Sequence, residues 1–235
     1  SFNEPFNIKE IVFKGDFTKL ETQNGDDFLF VIVPLDKKKT VLDRDYSMEN
    51  YRKQTSEEIK ITAGAYYTIR NFSEDEIKMW FVLHSHSGNL GNWAEKAKTG
   101  DQAILWGPRS MFSPPKKFSH LILIADETGI PAMKVISENN KNFSKCTTFY
   151  EVIDESCQIP TKGENNILEN WIYREGDEPG EGEKLLDSLK VYELPKNDFY
   201  IFGAGEARQM MKIRKFFKSE GVAKEQMHIT GYWKK

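Results

Sequence analysis

The sequence predicts a β-barrel followed by a parallel α/β domain, and three observations carry that reading. Up to about residue 110, short β-favouring runs alternate with turn residues, the pattern of an antiparallel barrel. From about Ser119 the rhythm becomes strand, helix, strand, as a parallel sheet requires. Between them lies Ser113-Pro114-Pro115-Lys116-Lys117, a stiff polar linker, so the domains are expected at residues 1–115 and 116–235.

In the first half, Ile11 and Phe13 alternate with polar neighbours, and Phe28 to Val33 is a dense apolar run ended by Pro34. Tyr66 to Asn71 and Ile77 to Leu83 are two further strands, joined by the polar turn Phe72-Ser73-Glu74-Asp75-Glu76. A helix is predicted from Asn92 to Lys98. A strand is predicted from Ala103 to Trp106, ending at Gly107-Pro108. In the second half, Leu121 to Ala125 is continuously apolar, as a strand covered on both faces must be. A helix follows over Ile130 to Asn139, then strands over Thr147 to Ile153 and Ile167 to Tyr173. Glu175 to Glu183 is rich in acids and glycine and reads as a loop; Glu183 to Lys190 reads as a short helix. The strand Phe199 to Phe202 is expected to break at Gly203-Ala204-Gly205. The helix from Glu206 to Ser219 carries Met210, Ile213 and Phe217 on one face, with Gly221 as its C-terminal cap. A last strand covers Met227 to Thr230.

The 235 residues include 39% hydrophobic and 29% charged, which suits a soluble globular chain. A net charge of −3 gives no global attraction for nucleic acid. Two cysteines exclude a disulfide framework and a cysteine-built metal centre. The longest apolar runs are too short to span a bilayer. Ser1-Phe2-Asn3-Glu4-Pro5 lacks a basic segment followed by an apolar one, so a cytoplasmic address without signal peptide is expected. No dimerisation stripe stands out, and a monomer is expected.

Several segments carry candidate chemistry. In Tyr67-Thr68-Ile69-Arg70, strand alternation puts Tyr67 and Ile69 on one face and Thr68 and Arg70 on the other. An aromatic stacks on rings, while a hydroxyl and a guanidinium hold ribityl and phosphate oxygens. Gly88-Asn89-Leu90-Gly91-Asn92-Trp93-Ala94 is a tight turn before a helix whose free N–H groups suit a pyrophosphate; its plain alternative is an Asn-capped turn. Asp126-Glu127-Thr128-Gly129-Ile130-Pro131-Ala132 is the first strand-to-helix turn of the parallel domain, the place for a dinucleotide, and equally a helix cap. Gly203-Ala204-Gly205-Glu206 permits close approach of a ribose, or tight packing. Lys37, Lys38, Lys39, Arg44 and Lys53 form a basic loop cluster, either solvated or attractive to an anionic substrate. His84 and His86 share a strand face without an evident third ligand, so no metal site is predicted.

Taken in order, these segments resemble a known family. The match runs through Tyr67-Thr68-Ile69-Arg70, Phe81-Val82-Leu83-His84, Asn92-Trp93-Ala94 with Gly100-Asp101, Gly107-Pro108-Arg109 and Asp126 to Ala132. It continues through Trp171 with Arg174, Gly205-Glu206 and Gly231-Tyr232-Trp233-Lys234. Together they resemble the siderophore-interacting proteins, flavin-dependent ferric-siderophore reductases of the ferredoxin-reductase-like fold. The resemblance implies an N-terminal Greek-key barrel that binds FAD and a C-terminal domain that binds NADH or NADPH. It implies Tyr67 and Thr68, with Ile69 between the motif's polar positions, at the isoalloxazine and ribityl chain. Arg70, His84, Gly91, Asn92 and Trp93 would lie along ribityl, pyrophosphate and adenine, with Arg109 also near the flavin. Asp126, Glu127, Thr128, Gly205 and Glu206 would shape the nicotinamide side. There are departures. The family usually has arginine two residues before the motif tyrosine, where this chain has Ala65, so Arg70 or the loop lysines would have to supply the phosphate counter-charge. Gly129 stands where the family often has a small side chain, and Asn89-Leu90-Gly91 replaces a more usual Pro-Ala-Ser.

The implied activity is reduction of a ferric siderophore, a flavin converting an electron pair into single electrons. Fe(II) is held less tightly than Fe(III) by hard oxygen ligands, so reduction releases it. No side chain need act as acid or nucleophile. Lys37, Lys38, Lys39, Arg44 and Lys53 are the expected landing site for an anionic chelate. Arg174, Arg208 and Lys212 are available to a 2′-phosphate, whereas Asp154 and Glu155 after the second parallel strand favour NADH; reduced ferredoxin also stays open as donor. Two rival readings stay open: a reductase working between NAD(P)H and ferredoxin or flavodoxin, and a siderophore-binding protein without redox activity.

Overall fold

The structure is a computed structural model that describes residues 2–3, 8–22, 25–35, 47–55, 61–83, 89–112, 118–139, 143–161 and 166–235. It divides into two compact units, Ser1–Thr22 with Asp27–Arg109, and Gln23–Asp26 with Ser110–Lys235.

The first unit holds β1 (Phe2–Asn3), β2 (Ile8–Lys14), β3 (Phe28–Pro34), β4 (Thr62–Phe72), β5 (Glu76–Val82) and β6 (Ile104–Arg109). They form one antiparallel sheet in the order β1-β2-β5-β4-β3-β6. The pairing of β2 with β5 is the long-range contact of a Greek key. β3 explains its own apolar density. Leu29, Val31 and Val33 face the core with Ile69, Met79 and Phe81. Phe28, Phe30 and Ile32 point the other way and are buried too.

What covers that second face was not read from the sequence. A helix, α1 (Met48–Thr55), lays Tyr51 edge-on against Phe30, ring centroids 5.1 Å apart, and the Tyr51 hydroxyl donates to the Gly64 carbonyl at 3.4 Å. A Cβ on Gly64 would come within 2.6 Å of the Phe30 ring, so glycine is what lets α1 and β3 share this space. The helix escapes a periodicity search because few of its residues are apolar.

Two boundaries are corrected. The helix α2 (Asn89–Lys96) begins at Asn89 rather than Asn92, because its buried stripe of Leu90, Trp93 and Ala94 starts there; Gly91 therefore lies inside the first turn. β6 does not stop at Trp106 but runs through Gly107-Pro108 to Arg109, with Gly107 at φ +138° and a shift in register against β3.

The second unit holds β7 (His120–Ala125), α3 (Ile130–Asn139), β8 (Lys145–Val152), β9 (Ile167–Tyr173), α4 (Lys184–Lys190), β10 (Phe199–Glu206), α5 (Ala207–Ser219) and β11 (Met227–Trp233). The sheet is wholly parallel, in the order β11-β10-β7-β8-β9. Alternate residues of β7 serve its two faces. Leu121, Leu123 and Ala125 pack with Ile130, Met133 and Ile136 of α3. Ile122 and Ile124 pack with Leu185 and Leu189 of α4 and with Met210, Ile213 and Phe217 of α5. The predicted fold class, antiparallel β followed by parallel α/β, is what the chain adopts.

β10 corrects a third boundary. The sequence reading ended it at Phe202, yet it continues through Gly203-Ala204-Gly205 to Glu206. A Cβ on Gly203 would sit 3.3 Å from Ile229, and one on Gly205 2.9 Å from the Asp126 carboxyl carbon. These glycines serve close packing inside a strand. Gly129 is still more confined: a Cβ there would meet the Ala204 carbonyl oxygen at 2.4 Å. The start of α3 is thereby drawn against β10.

Candidate functional site

In the first unit, the predicted motif splits across the two faces of β4, as alternation requires. Tyr67 and Ile69 turn into the core. Tyr67 stacks on Phe81 at 4.0 Å, and burial pushes its hydroxyl up to about 12. Ala65, also packed against this core, stands on the same side. Thr68 lies on the opposite face beside Phe28 and is buried there, and Arg109 of β6 is paired with Phe28 from the other side. One step along, Tyr66 and Trp106 flank Phe30 in the same way. Tyr66 is 51% exposed and Trp106 39%, so this face presents aromatic surface with polar groups beside it. The Arg109 guanidinium lies 5.3 Å from the Trp106 ring, and that of Arg70 lies 4.3 Å from the ring of Trp80.

α2 supplies the remaining candidates here. Gly91 and Trp93 are buried and Asn92 is exposed. The Trp93 indole N–H is buried, with no hydrogen-bond partner among the described residues. A buried donor of this kind is suited to an acceptor oxygen brought by a ligand. Lys53 is corrected from loop to helix: it lies on α1 and pairs with Glu49 one turn away at 2.9 Å. Lys37, Lys38, Lys39, Arg44 and His84 lie outside the described residues.

In the second unit, the candidates gather at the carboxyl edge of the parallel sheet. Asp126, directly after β7, is buried and holds the edge together. Its Oδ1 accepts from the Thr128 N–H at 2.8 Å, the Thr128 hydroxyl at 2.5 Å and the Gly129 N–H at 3.3 Å. Its Oδ2 accepts from the Glu206 N–H and the Trp233 indole N–H, both at 2.8 Å. Glu206 caps α5 by accepting from the N–H groups of Arg208 and Gln209, at 2.6 and 2.9 Å. Asp126 and Glu206 thus act as internal caps, and the open side of Gly205 is turned to Asp126.

Glu127 meets Arg174, which follows β9. Arg174 Nη1 donates to Glu127 Oε2 at 2.6 Å, and Nη2 lies 2.5 Å from Oε1. Both residues are buried. Burial opposes the charge of Arg174, but Glu127, Glu151 and Asp126 together outweigh it and raise its pKa. Glu151 and Gln209, which the sequence reading did not single out, belong to this edge. Gln209 Nε2 donates to Glu151 Oε1 at 3.0 Å, while Glu151 Oε2 and Gln209 Oε1 are buried with no partner among the described residues. Burial pushes the Glu151 carboxyl up to about 7; Arg174 and Gln209 pull against that, and Asp126 and Glu127 add to it. Neither residue sits in a recognisable motif, so only their packing exposes them.

Both cysteines are buried, with thiol pKa values raised by burial, that of Cys146 to about 12, which suits neither to nucleophilic chemistry. Among the described residues, no group of His, Cys, Asp and Glu could hold a metal ion, and no helix is long and apolar enough to cross a membrane.

Residues 7–112 match the siderophore-interacting FAD-binding domain, and residues 118–235 match the siderophore-interacting protein model. The chain belongs to the siderophore-interacting protein family. Among curated members, it is similar to the ferric vibriobactin reductase ViuB of Vibrio cholerae, 26% identical over 176 residues that make up 72% of this chain and 64% of that protein. The chain spans 60 to 64% of the length of the first curated relatives it matches. Among solved structures, a siderophore utilization protein from T. fusca superposes with a TM-score of 0.81 at 26% identity, covering 97% of this chain and 87% of that one. A ferredoxin NADP+ reductase from Neisseria gonorrhoeae, at 12% identity, superposes with a TM-score of 0.63 over 96% of this chain and 93% of that one, which shows the shared fold.

Proposed function

We propose that this chain is an FAD-dependent ferric-chelate oxidoreductase of the cytoplasm. In this reading it passes electrons from NADH or NADPH, or from reduced ferredoxin, to the Fe(III) of a siderophore, so that Fe(II) is released. The observation that carries the reading is the succession, in one chain, of an FAD-binding barrel of this family and a parallel sheet whose carboxyl edge is built from buried, internally capped polar groups. A flavin, when bound, supplies the conversion of an electron pair into single electrons.

The residues present suit such a group. The unpartnered Trp93 N–H, the exposed aromatic face of Tyr66 and Trp106, and Thr68 and Arg109 beside Phe28 offer a donor, a stacking surface and a counter-charge. In this reading Thr68, Arg70, Asn92, Trp93 and Arg109 hold the flavin, with Gly91 bringing backbone N–H groups close and Tyr67, Ile69 and His84 completing the motif. Asp126, Glu127, Thr128, Gly205 and Glu206 shape the nicotinamide side. Lys37, Lys38, Lys39 and Arg44 receive an anionic chelate, and Lys53 contributes less because Glu49 partly neutralises it. The domains fall at 1–115 and 116–235, and the protein acts as a monomer.

The test is the visible spectrum of the purified protein before and after incubation with FAD and desalting, followed by anaerobic reduction assays with ferric chelates. Retained flavin and Fe(II) release support the reading. A protein that keeps no FAD yet binds a ferric siderophore would favour a non-redox binding role. Transfer to ferredoxin but not to chelates would favour a protein-to-protein reductase.

A further inference from the structure

We propose that the carboxyl edge of the parallel sheet accepts the dinucleotide without a 2′-phosphate, and that Glu127 decides this by holding Arg174. The inference rests on the reading of the second unit as a nicotinamide dinucleotide site. In an open parallel sheet, ligands lie outside the carboxyl ends of the strands, where the strand order reverses. Here the order reverses between β7 and β10. The residues at that point are Asp126 and Glu127 after β7 and Glu206 at the end of β10.

A 2′-phosphate adds about −1.5 to −2 charges, by analogy with phosphorylated side chains. Its best receptor is a guanidinium whose two arms are open. β9 delivers one such group to this edge, Arg174, and Glu127 holds its Nη1 in a hydrogen bond at 2.6 Å and sets its other oxygen against Nη2 as an ion pair at 2.5 Å. A phosphate that displaced Glu127 would leave a carboxylate buried without its cation, which is strongly unfavourable.

The surroundings carry the same sign. Asp126 and Glu151 act on Arg174 from β7 and β8. Asp154 and Glu155 follow β8. A carboxylate after the second strand is also the group that reads a ribose 2′-hydroxyl in dinucleotide-binding sheets. Three exposed lysines are engaged, Lys184 with Glu175, Lys212 with Glu183, and Lys235 with Glu181. Arg208, exposed in the first turn of α5, and Lys234, exposed just after β11, are cations that could oppose this logic.

The test compares ADP-ribose with 2′-phospho-ADP-ribose by calorimetric titration, a readout that needs no electron flow. ADP-ribose is expected to bind at least about tenfold more tightly, with the same ranking of NADH over NADPH in kcat/KM. Glu127→Gln keeps the shape but frees Arg174, and is expected to narrow the ratio about fivefold or more by gaining affinity for the phosphorylated ligand. Should that variant fold poorly, Asp154→Asn removes an exposed like charge, retains the acceptor for Ser156, and is expected to move the ratio the same way by about twofold. Equal or tighter binding of 2′-phospho-ADP-ribose overturns the proposal, and its loss in Arg208→Ala would assign the phosphate to Arg208. Binding of neither ligand overturns this proposal together with the nicotinamide half of the proposed function. Reduction of ferric chelates by chemically reduced protein would then show the iron half standing alone.

Discussion

Among the described residues, three buried acceptors without a hydrogen-bond donor, Glu127 Oε1, Glu151 Oε2 and Gln209 Oε1, define the residue-scale chemistry of the sheet edge. Burial lifts the Glu151 carboxyl from its ordinary 4.5 to about 7. Between those values the folded chain holds a proton that the unfolded chain has released, so this group's contribution to stability falls as pH rises through the window. Glu151→Gln removes the titration, and the introduced amide can donate to Gln209 Oε1. The variant is expected to be more stable than the parent at about pH 8, by on the order of 1–3 kcal/mol, with that gain lost near pH 4.5. Urea denaturation at the two pH values checks this; an equal difference at both would show that Glu151 does not titrate in that range. Trp93 supplies the matching case in the first unit. Trp93→Phe keeps an aromatic ring and removes the unpartnered N–H. It is expected to weaken FAD binding about threefold to tenfold, with a modest loss of thermal stability from the smaller core ring, read by flavin fluorescence titration alongside thermal denaturation. Unchanged FAD affinity would remove the indole from the flavin site. The motif containing Trp93 was legible in the sequence. The orphaned N–H was not, because satisfaction of a donor depends on neighbours distant in the chain.

At the scale of elements, α3 and β9 are tied by a buried ion pair. Lys134 of α3 donates to Glu169 of β9 at 2.5 Å and to the Thr161 hydroxyl at 2.7 Å. Its ammonium also lies 5.0 Å from the Tyr150 ring and 5.4 Å from that of Trp171. A long apolar stem with a charged tip is ordinary on a surface, but Lys134 is only 1% exposed. Lys134→Met strands the Glu169 carboxylate and is expected to cost about 3–5 kcal/mol. Adding Glu169→Gln removes the stranded charge, keeps an acceptor for Thr161, and is expected to restore roughly half of that loss or more. Thermal and urea denaturation of the single and double variants form the check; a double variant less stable than the single one would contradict the argument. The helix α3 itself was read from the sequence with its ends correct, because Ile130, Met133 and Ile136 repeat at helical spacing. The lysine was invisible to that reading, since its partner sits 35 residues later on a strand edge.

For the whole molecule, the succession of two units gives a simple linkage. A ligand that binds only the folded chain stabilises it by an amount set by its concentration over Kd. FAD at about 100 times its Kd is expected to add about 2.7 kcal/mol and to raise Tm by about 5–10 °C for a chain of this size. Calorimetry with and without FAD measures the shift; a Tm indifferent to FAD at every concentration would end the flavin reading. Asp26 accepts from the Met111 and Phe112 N–H groups at 2.8 and 2.7 Å and from the Ser110 hydroxyl at 3.0 Å, which places residues 25–26 with the second unit although the strand beginning at Phe28 belongs to the first.

The sequence by itself determined the fold class, most of the strands and the order of the motifs, because hydrophobic period and turn residues act locally along the chain. Continuous burial of Leu121 to Ala125 and alternation through Tyr67 to Arg70 needed no partner to be recognised. Tertiary structure alone decided where those motifs stop and what their side chains do. It carried β10 through its glycines because Asp126 and Ile229 leave no space for side chains there, and it laid α1 on β3 because Gly64 leaves room for Tyr51. It also closed Glu127 on Arg174, which withdraws from the site a cation that the sequence had left available. Burial and pairing depend on residues far apart in the chain, and these fix the charge at the sheet edge.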